Sequence, residues 1–228
     1  MQCTRCIVAI CFILLPALAL WAIASARVIF NINIFILACI IMLLLRWIFL
    51  ALNKHVQILK SGLAGEQWVQ KVLAYLPKEF ISLQNLHFAL QGKAIEIDHL
   101  IVGPTGVFVI ETKNIKGTIY GNAKEDIWYK EKIGKTGSIY RKEFRNPCKQ
   151  VNRQVYHLSK LFKSQNIPVW IQAVVMFSHT EVKLCITDNA NVAIFQDPNT
   201  LLQYILQPKT TILTQAQISY IKNTLVQK

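Results

Sequence analysis

Ile95-Glu-Ile-Asp98-His-Leu-Ile-Val102, Gly103-Pro-Thr-Gly106 and Val107-Phe-Val-Ile-Glu111-Thr-Lys113 follow one another without interruption. Two apolar, β-branched runs are joined by a turn, and each carries acid toward the end away from it. Gly-Pro-Thr-Gly between such runs is a hairpin signal, so the segments are expected to pair antiparallel. With an even loop, Asp98 faces Glu111, Glu96 faces Lys113, Leu100 faces Val109 and Val102 faces Val107. The other face pairs Ile97 with Thr112 and Ile101 with Phe108. Polar meets polar throughout, and a one-residue slip would mismatch every pair. The alternative is a three-residue loop with Gly106 as a G1 bulge, which sets Asp98 opposite Thr112 and separates the carboxylates. Cross-strand Cβ atoms stand roughly 4.5–5.5 Å apart, so paired carboxylates repel unless a proton or cation lies between them. A hard divalent ion, held by one or two carboxylates with water and substrate phosphate, fits that pattern.

Asp98, a hairpin turn and Glu111-Thr-Lys113 match the Asp…Glu-x-Lys signature of the PD-(D/E)XK nuclease superfamily, with Ile97 where its leading proline stands. The flanking text is more specific: Gly62-Leu-Ala-Gly65-Glu66 opening a helix, Ile97-Asp98-His99, Gly106 through Asn114 with Lys116-Gly117, and Asn146-Pro147-Cys-Lys-Gln150. Over about residues 60 to 165 the chain resembles the nuclease-related domain, NERD. The resemblance implies an α/β fold of restriction-endonuclease type, a mixed sheet flanked by helices. It implies metal-dependent phosphodiester hydrolysis, with Mg²⁺ or Mn²⁺ held by Asp98 and Glu111, and Glu66 nearby. Lys113 would orient or deprotonate the attacking water, or stabilise the oxyanion, and Gln150 would reach the site from its helix. Read without the family, Glu66 is a first-turn carboxylate favoured by the helix dipole, and Gln150 is an ordinary surface glutamine.

Residues 7–26 contain no charge, and a second apolar stretch, 28–52, is broken by Asn31, Asn33 and Arg46. Each is long enough to cross a hydrocarbon core, which takes roughly 20 residues. A transmembrane helical hairpin is therefore expected over 1–52, a linker over 53–61 and the nuclease-like domain over 62–228. Ala24-Ser-Ala26 also resembles a signal-peptide cleavage site. On either reading Lys54, His55 and Lys60 place the domain in the cytoplasm, on the inner membrane. The six cysteines lack metal-ribbon spacing. No Walker loop or Gly-x-Ser-x-Gly occurs, which argues against nucleotide-binding and α/β-hydrolase functions.

All 12 acids and 22 of the 25 bases lie beyond residue 52, so the domain carries about ten positive charges. Thirteen Lys and Arg fall between Lys113 and Lys163, against Glu125, Asp126, Glu131 and Glu143. Such a surface attracts nucleic-acid phosphates or anionic lipid headgroups. Residues 122–145 read as a long basic loop with a short strand at Ile127–Tyr129, where Tyr129 and Tyr140 are placed to stack on bases and Trp128 to pack on the sheet. Helices are expected over 63–76, closed by Pro77, over 147–162 with Asn146 as N-cap, and over 201–206 and 214–226. Strands are expected over 80–90, 169–177 and 192–195. The expected protein is thus a membrane-anchored nuclease acting on DNA before RNA. The alternatives are a non-catalytic nucleic-acid tether and a basic scaffold on the bilayer surface.

Overall fold

In the computed structural model, which describes residues 16–21, 32–90, 92–134, 137–189, 191–208 and 213–226, the hairpin forms in the even register. Strand β2 (Lys93–Gly103) pairs antiparallel with β3 (Gly106–Lys113) through His99–Ile110, Leu100–Val109, Ile101–Phe108, Val102–Val107 and Gly103–Gly106. The ladder ends there, so Asp98–Glu111, Ile97–Thr112 and Glu96–Lys113 are not ladder partners. Strand β1 (Ile81–Leu90) lies antiparallel on the other side of β2, skipping the pair Asn85–Asp98.

Asn85 sits in the left-handed region at φ 46°, a conformation Asn tolerates better than most residues. Inward-facing positions on β1 shift there from Ile81 and Leu83 to Leu86, Phe88 and Leu90, while those on β2 shift from Leu100 and Val102 to Ile95 and Ile97. Both strands therefore change face at one cross-strand position, with the register unshifted on either side of it. Asp98 stands at that break.

Strands β4 (Gly117–Asn122), β5 (Ile127–Ile133) and β6 (Ile139–Arg145) follow, then helix α2 (Pro147–Ser164) and β7 (Ile171–Phe177). Strands β8 (Val182–Asp188) and β9 (Ala193–Phe195) and helices α3 (Pro198–Leu206) and α4 (Gln215–Val226) complete the chain, and α1 (Ile32–Leu73) precedes β1. One sheet has the order β1-β2-β3-β7-β9 and the second β6-β5-β4-β8, with β3–β7, β7–β9 and β4–β8 parallel. The fold is mixed α/β, as expected, but with two sheets.

Strand β3 is buried on both faces, which accounts for its unbroken apolar run. Val107 and Val109 join Val151, Leu158 and Phe162 of α2 in one core, and Phe108 and Ile110 join Val69 and Leu73 of α1 and Leu201 and Ile205 of α3 in the other.

Residues 122–145, expected as a loop, are instead mostly the β5–β6 hairpin. Its hydrophobic period is hidden because charged cross-strand partners replace apolar ones: Arg141 bonds Glu131 at 2.8 Å and stacks over Tyr129. At its base Trp128 is fully buried, edge-on to Phe144, and its indole N–H donates to the Asn122 carbonyl.

Residues 53–61, expected as a linker, continue α1. They contain neither Gly nor Pro, and Lys, Gln and Leu are good helix formers. The chain divides into compact units Met1–Val56 and Gln57–Lys228. In the first, the helix from Ile34 onward is long and apolar enough to cross a membrane, with mean hydropathy 2.8 in its best window and none of that window buried. Of the first expected span, only 16–21 are described, as helix. The hairpin connection and the alternative cleavage site lie outside the described residues.

Candidate active site

Alternation along β3 sends Glu111 and Lys113 toward the same face as Val109, beneath α2. Lys113 Nζ lies 2.6 Å from Glu111 Oε1 and donates to Gln150 Oε1 at 3.0 Å. Gln154 Nε2 donates to Glu111 Oε2 at 2.8 Å. Glu111 is only 2% exposed, and both its oxygens are engaged. This matters because an unpaired buried carboxylate would be expensive.

The start of α2 is set by Asn146. Its Oδ1 accepts from the backbone N–H groups of Cys148 and Lys149, while its Nδ2 donates to the carbonyls of Asn122, Ala123 and Glu125. Pro147 supplies the first helical position, where no N–H is needed. One buried side chain thus caps the helix and ties it to the β4–β5 loop, bringing Gln150 and, one turn on, Gln154 onto β3.

Asp98 Oδ2 accepts the Thr112 amide at 2.8 Å, just beyond the end of the β2–β3 ladder. Burial pushes the Asp98 carboxyl up to about 7, the Glu111 charge adds to this, and the Thr112 amide opposes it. Glu66, half-buried on α1, is also raised, first by burial and then by Glu96 and Glu111, with Lys113 opposing. Asp98 therefore feels the charges of Glu111 and Glu66, and Glu66 those of Glu96 and Glu111. Next to Asp98, His99 turns into the apolar layer, where neither ring nitrogen has a hydrogen-bond partner among the described residues, and burial lowers it to about 4.

Glu66 is positioned by the glycine before it. A Cβ on Gly65 would stand 2.6 Å from Asn114 Cβ and 2.7 Å from Ser178 Oγ, and Asn114 Nδ2 donates to the Ser61 carbonyl at 2.7 Å. The helix thus meets the ends of β3 and β7 backbone to side chain. Gly65→Ala gains about 1 kcal/mol of helix propensity but meets an overpacking penalty of about 1–3 kcal/mol. A lower melting temperature together with slower substrate turnover is expected. An unchanged or higher melting temperature would show that the contact is not tight.

The donor set suits a hard divalent ion. Asp98 and Glu111 offer carboxylate oxygens; burial first and then the Glu111 charge drive Asp98 toward its protonated form, and a cation would offset both. Among the described residues no three His, Cys, Asp or Glu side chains form a ready cage. Two carboxylates with water and substrate phosphate is the sparse mode usual for Mg²⁺.

Of the residues singled out in the sequence, Glu111, Lys113 and Gln150 are in direct contact. Asp98 and Glu66 are linked to them through their fields. Glu96 does not pair with Lys113, and Gln154, recognisable only as the helical neighbour of Gln150, is the glutamine that reaches Glu111.

A family model described as nuclease-related domain, NERD, matches residues 61–178, a span holding all of these side chains. The chain is 38% identical over 117 residues to an uncharacterized protein of Bacillus anthracis, a match covering 50% of this chain and 51% of that protein. The chain thus spans about half the length of the curated relative it matches. No solved structure matches.

Proposed function

Because the chain belongs to the nuclease-related domain family, we propose that it is a membrane-anchored, divalent-metal-dependent phosphodiesterase acting on nucleic acid, with DNA as the substrate. The observation that carries this is the Lys113 ammonium set between Glu111 and Gln150 beside a half-buried Asp98. Asp98 and Glu111 would hold Mg²⁺ or Mn²⁺, with Glu66 reaching it through water. Such an ion, when bound, acidifies water and offsets phosphate charge. An ammonium has three donors. Two of those on Lys113 are committed to Glu111 and Gln150, leaving the third for a non-bridging phosphate oxygen or the attacking water. Gln150 keeps the lysine aimed when Glu111 is otherwise engaged, and Gln154 holds the Glu111 carboxylate in its rotamer.

A nucleic-acid tether without chemistry is the second reading, favoured by one observation: both Glu111 oxygens already have partners. The two separate when full-length protein is incubated with plasmid and linear DNA in Mn²⁺ or chelator. Hydrolysis predicts nicking or degradation in Mn²⁺ only, and intact DNA under both conditions leaves the tether. The apolar part of α1 would be the anchor, and Lys54, His55 and Lys60 favour a cytoplasmic domain by the positive-inside rule. A periplasm-only reporter fused after Lys228 should be silent, and its activity would overturn both this placement and access to DNA.

A further inference from the structure

Next to the acid cluster lies a cleft of ≈ 350 Å³, at the small end of the roughly 300–1,000 Å³ range of ligand pockets. Gln150 and Gln154 form its border with the site, and Glu96 lines it at the acidic side. Arg145, at the end of β6, and Lys149 and Arg153, one turn apart on α2, line the remainder with Asp126 and His157. Asp126 is already neutralised by Lys149 at 2.7 Å. Arg145 and Arg153 are exposed and have no ion-pair partner among the described residues. The buried His157 imidazole is lowered first by burial and then by Arg153, Lys93 and Lys160, so several cations crowd this wall, against Asp126, which is taken by Lys149, and Glu96 at the acidic side.

A guanidinium presents a planar fork matched to two phosphate oxygens. Two unpaired arginines in a concave wall, continuous with a site whose far side is acidic, form an anion subsite of fixed direction. Resting on the hydrolytic function proposed above, we propose that this cleft holds the phosphodiester backbone next to the scissile bond, with Arg145 and Arg153 gripping one flanking phosphate of the nucleic-acid strand. Glu96 and the carboxylates beyond it repel that phosphate from the catalytic end, so the cleft sets the register of the strand.

The test uses the full chain in phosphatidylcholine nanodiscs with chelator present, and measures anisotropy of a fluorescent DNA oligonucleotide across a salt series. Arg145→Gln with Arg153→Gln should raise Kd about tenfold or more and reduce the slope of log K against log salt by about 1–2, at unchanged melting temperature. Arg153→Lys alone should keep the slope yet weaken binding, because the charge survives and the fork does not. A single neutral methylphosphonate beside the cleavage point should weaken wild type and leave the double variant unaffected. Lys78→Gln, an exposed charge before β1, is the control. An unchanged slope in the double variant, or an equal fall with Lys78→Gln, overturns the proposal. So does a loss confined to anionic-lipid nanodiscs, which would make the cleft a headgroup site. If wild type leaves DNA intact in Mn²⁺ while the double variant still loses affinity, the cleft stands as a nucleic-acid site and hydrolysis alone is excluded.

Discussion

Glu111→Gln is expected to lower metal-dependent cleavage by at least about 10²–10³-fold, the usual loss when a group that stabilises the reacting charge is removed, while leaving the fold intact. The fold should survive because the surrounding hydrogen bonds can rearrange. In the native protein Gln154 Nε2 donates to Glu111 Oε2, and Gln154 Oε1 is buried with no hydrogen-bond partner among the described residues. A flip of Gln154 would turn that oxygen toward the amide nitrogen introduced at 111, and the remaining amide oxygen would still accept from Lys113. Removing a negative charge near the bound phosphate should leave DNA affinity equal or higher.

Lys113→Ala should also abolish cleavage, but with the opposite effect on metal. It leaves Glu111 Oε1 buried and unpaired, so Mn²⁺ affinity by calorimetry should hold or rise, whereas Glu111→Gln should lose it. Equal cleavage by wild type and both variants would assign the activity to another site or a contaminant.

Melting temperature against pH, measured in chelator, should reveal two opposed titrations at adjacent residues. Asp98 is raised to about 7 in the fold from an unfolded value near 4, so its stabilisation is full at low pH and is lost as pH rises through about 7. His99 is lowered to about 4 from about 6.5, so its contribution is full above about 6.5 and is lost as pH falls toward 4. Between pH 5.5 and 8 these amount to about 2 kcal/mol lost at Asp98 and about 1–2 kcal/mol gained at His99. Wild type should therefore be nearly flat.

The variants uncover the components. His99→Leu should lose about 4–8 °C from pH 5.5 to 8, and Asp98→Asn should gain about 3–6 °C, at about 2–4 °C per kcal/mol for a chain of this size. Mn²⁺ binds only the ionised carboxylate. It should therefore raise the wild-type melting temperature more at pH 8 than at 5.5, and not at all in Asp98→Asn. Parallel profiles for all three proteins would mean that neither group is shifted as described.

The hairpin at Gly103–Gly106, the cap at Asn146 and the apolar stripe of α1 are legible in sequence because each is a local periodicity or a short-range hydrogen bond. Alternation on β2 and β3 favours the even register over the bulged one, since a slip would pair polar residues with apolar ones. The same alternation puts Glu111 and Lys113 on one face, and the spacing of Gln150 and Gln154 puts both on one side of a helix. Glu111 and Lys113 were therefore within reach of the alternation itself, whereas Gln150 was marked by the family resemblance.

What lay beyond reach depends on partners that meet only in the folded chain, some of them far apart in sequence. Strand β4 runs parallel to β8, as in Gly117–Val182, and no local signal in either segment encodes that pairing. The β5–β6 hairpin is held by Glu131–Arg141 and by Trp128 against Phe144, pairs that look like loop chemistry until the strands are brought together. The break at Asn85–Asp98 needs both strands at once. Asp98 is marked in the sequence as the carboxylate facing Glu111, but the opposite shifts of Asp98 and His99 arise only when the sheet removes water from both. Arg145 and Arg153 are two exposed cations among many until the end of β6 meets the first turns of α2. Side-chain period, turn chemistry and capping are properties of neighbouring residues and were fixed by the chain itself. Desolvation and the convergence of charge from separate elements depend on which surfaces become adjacent, and only the tertiary structure decided that.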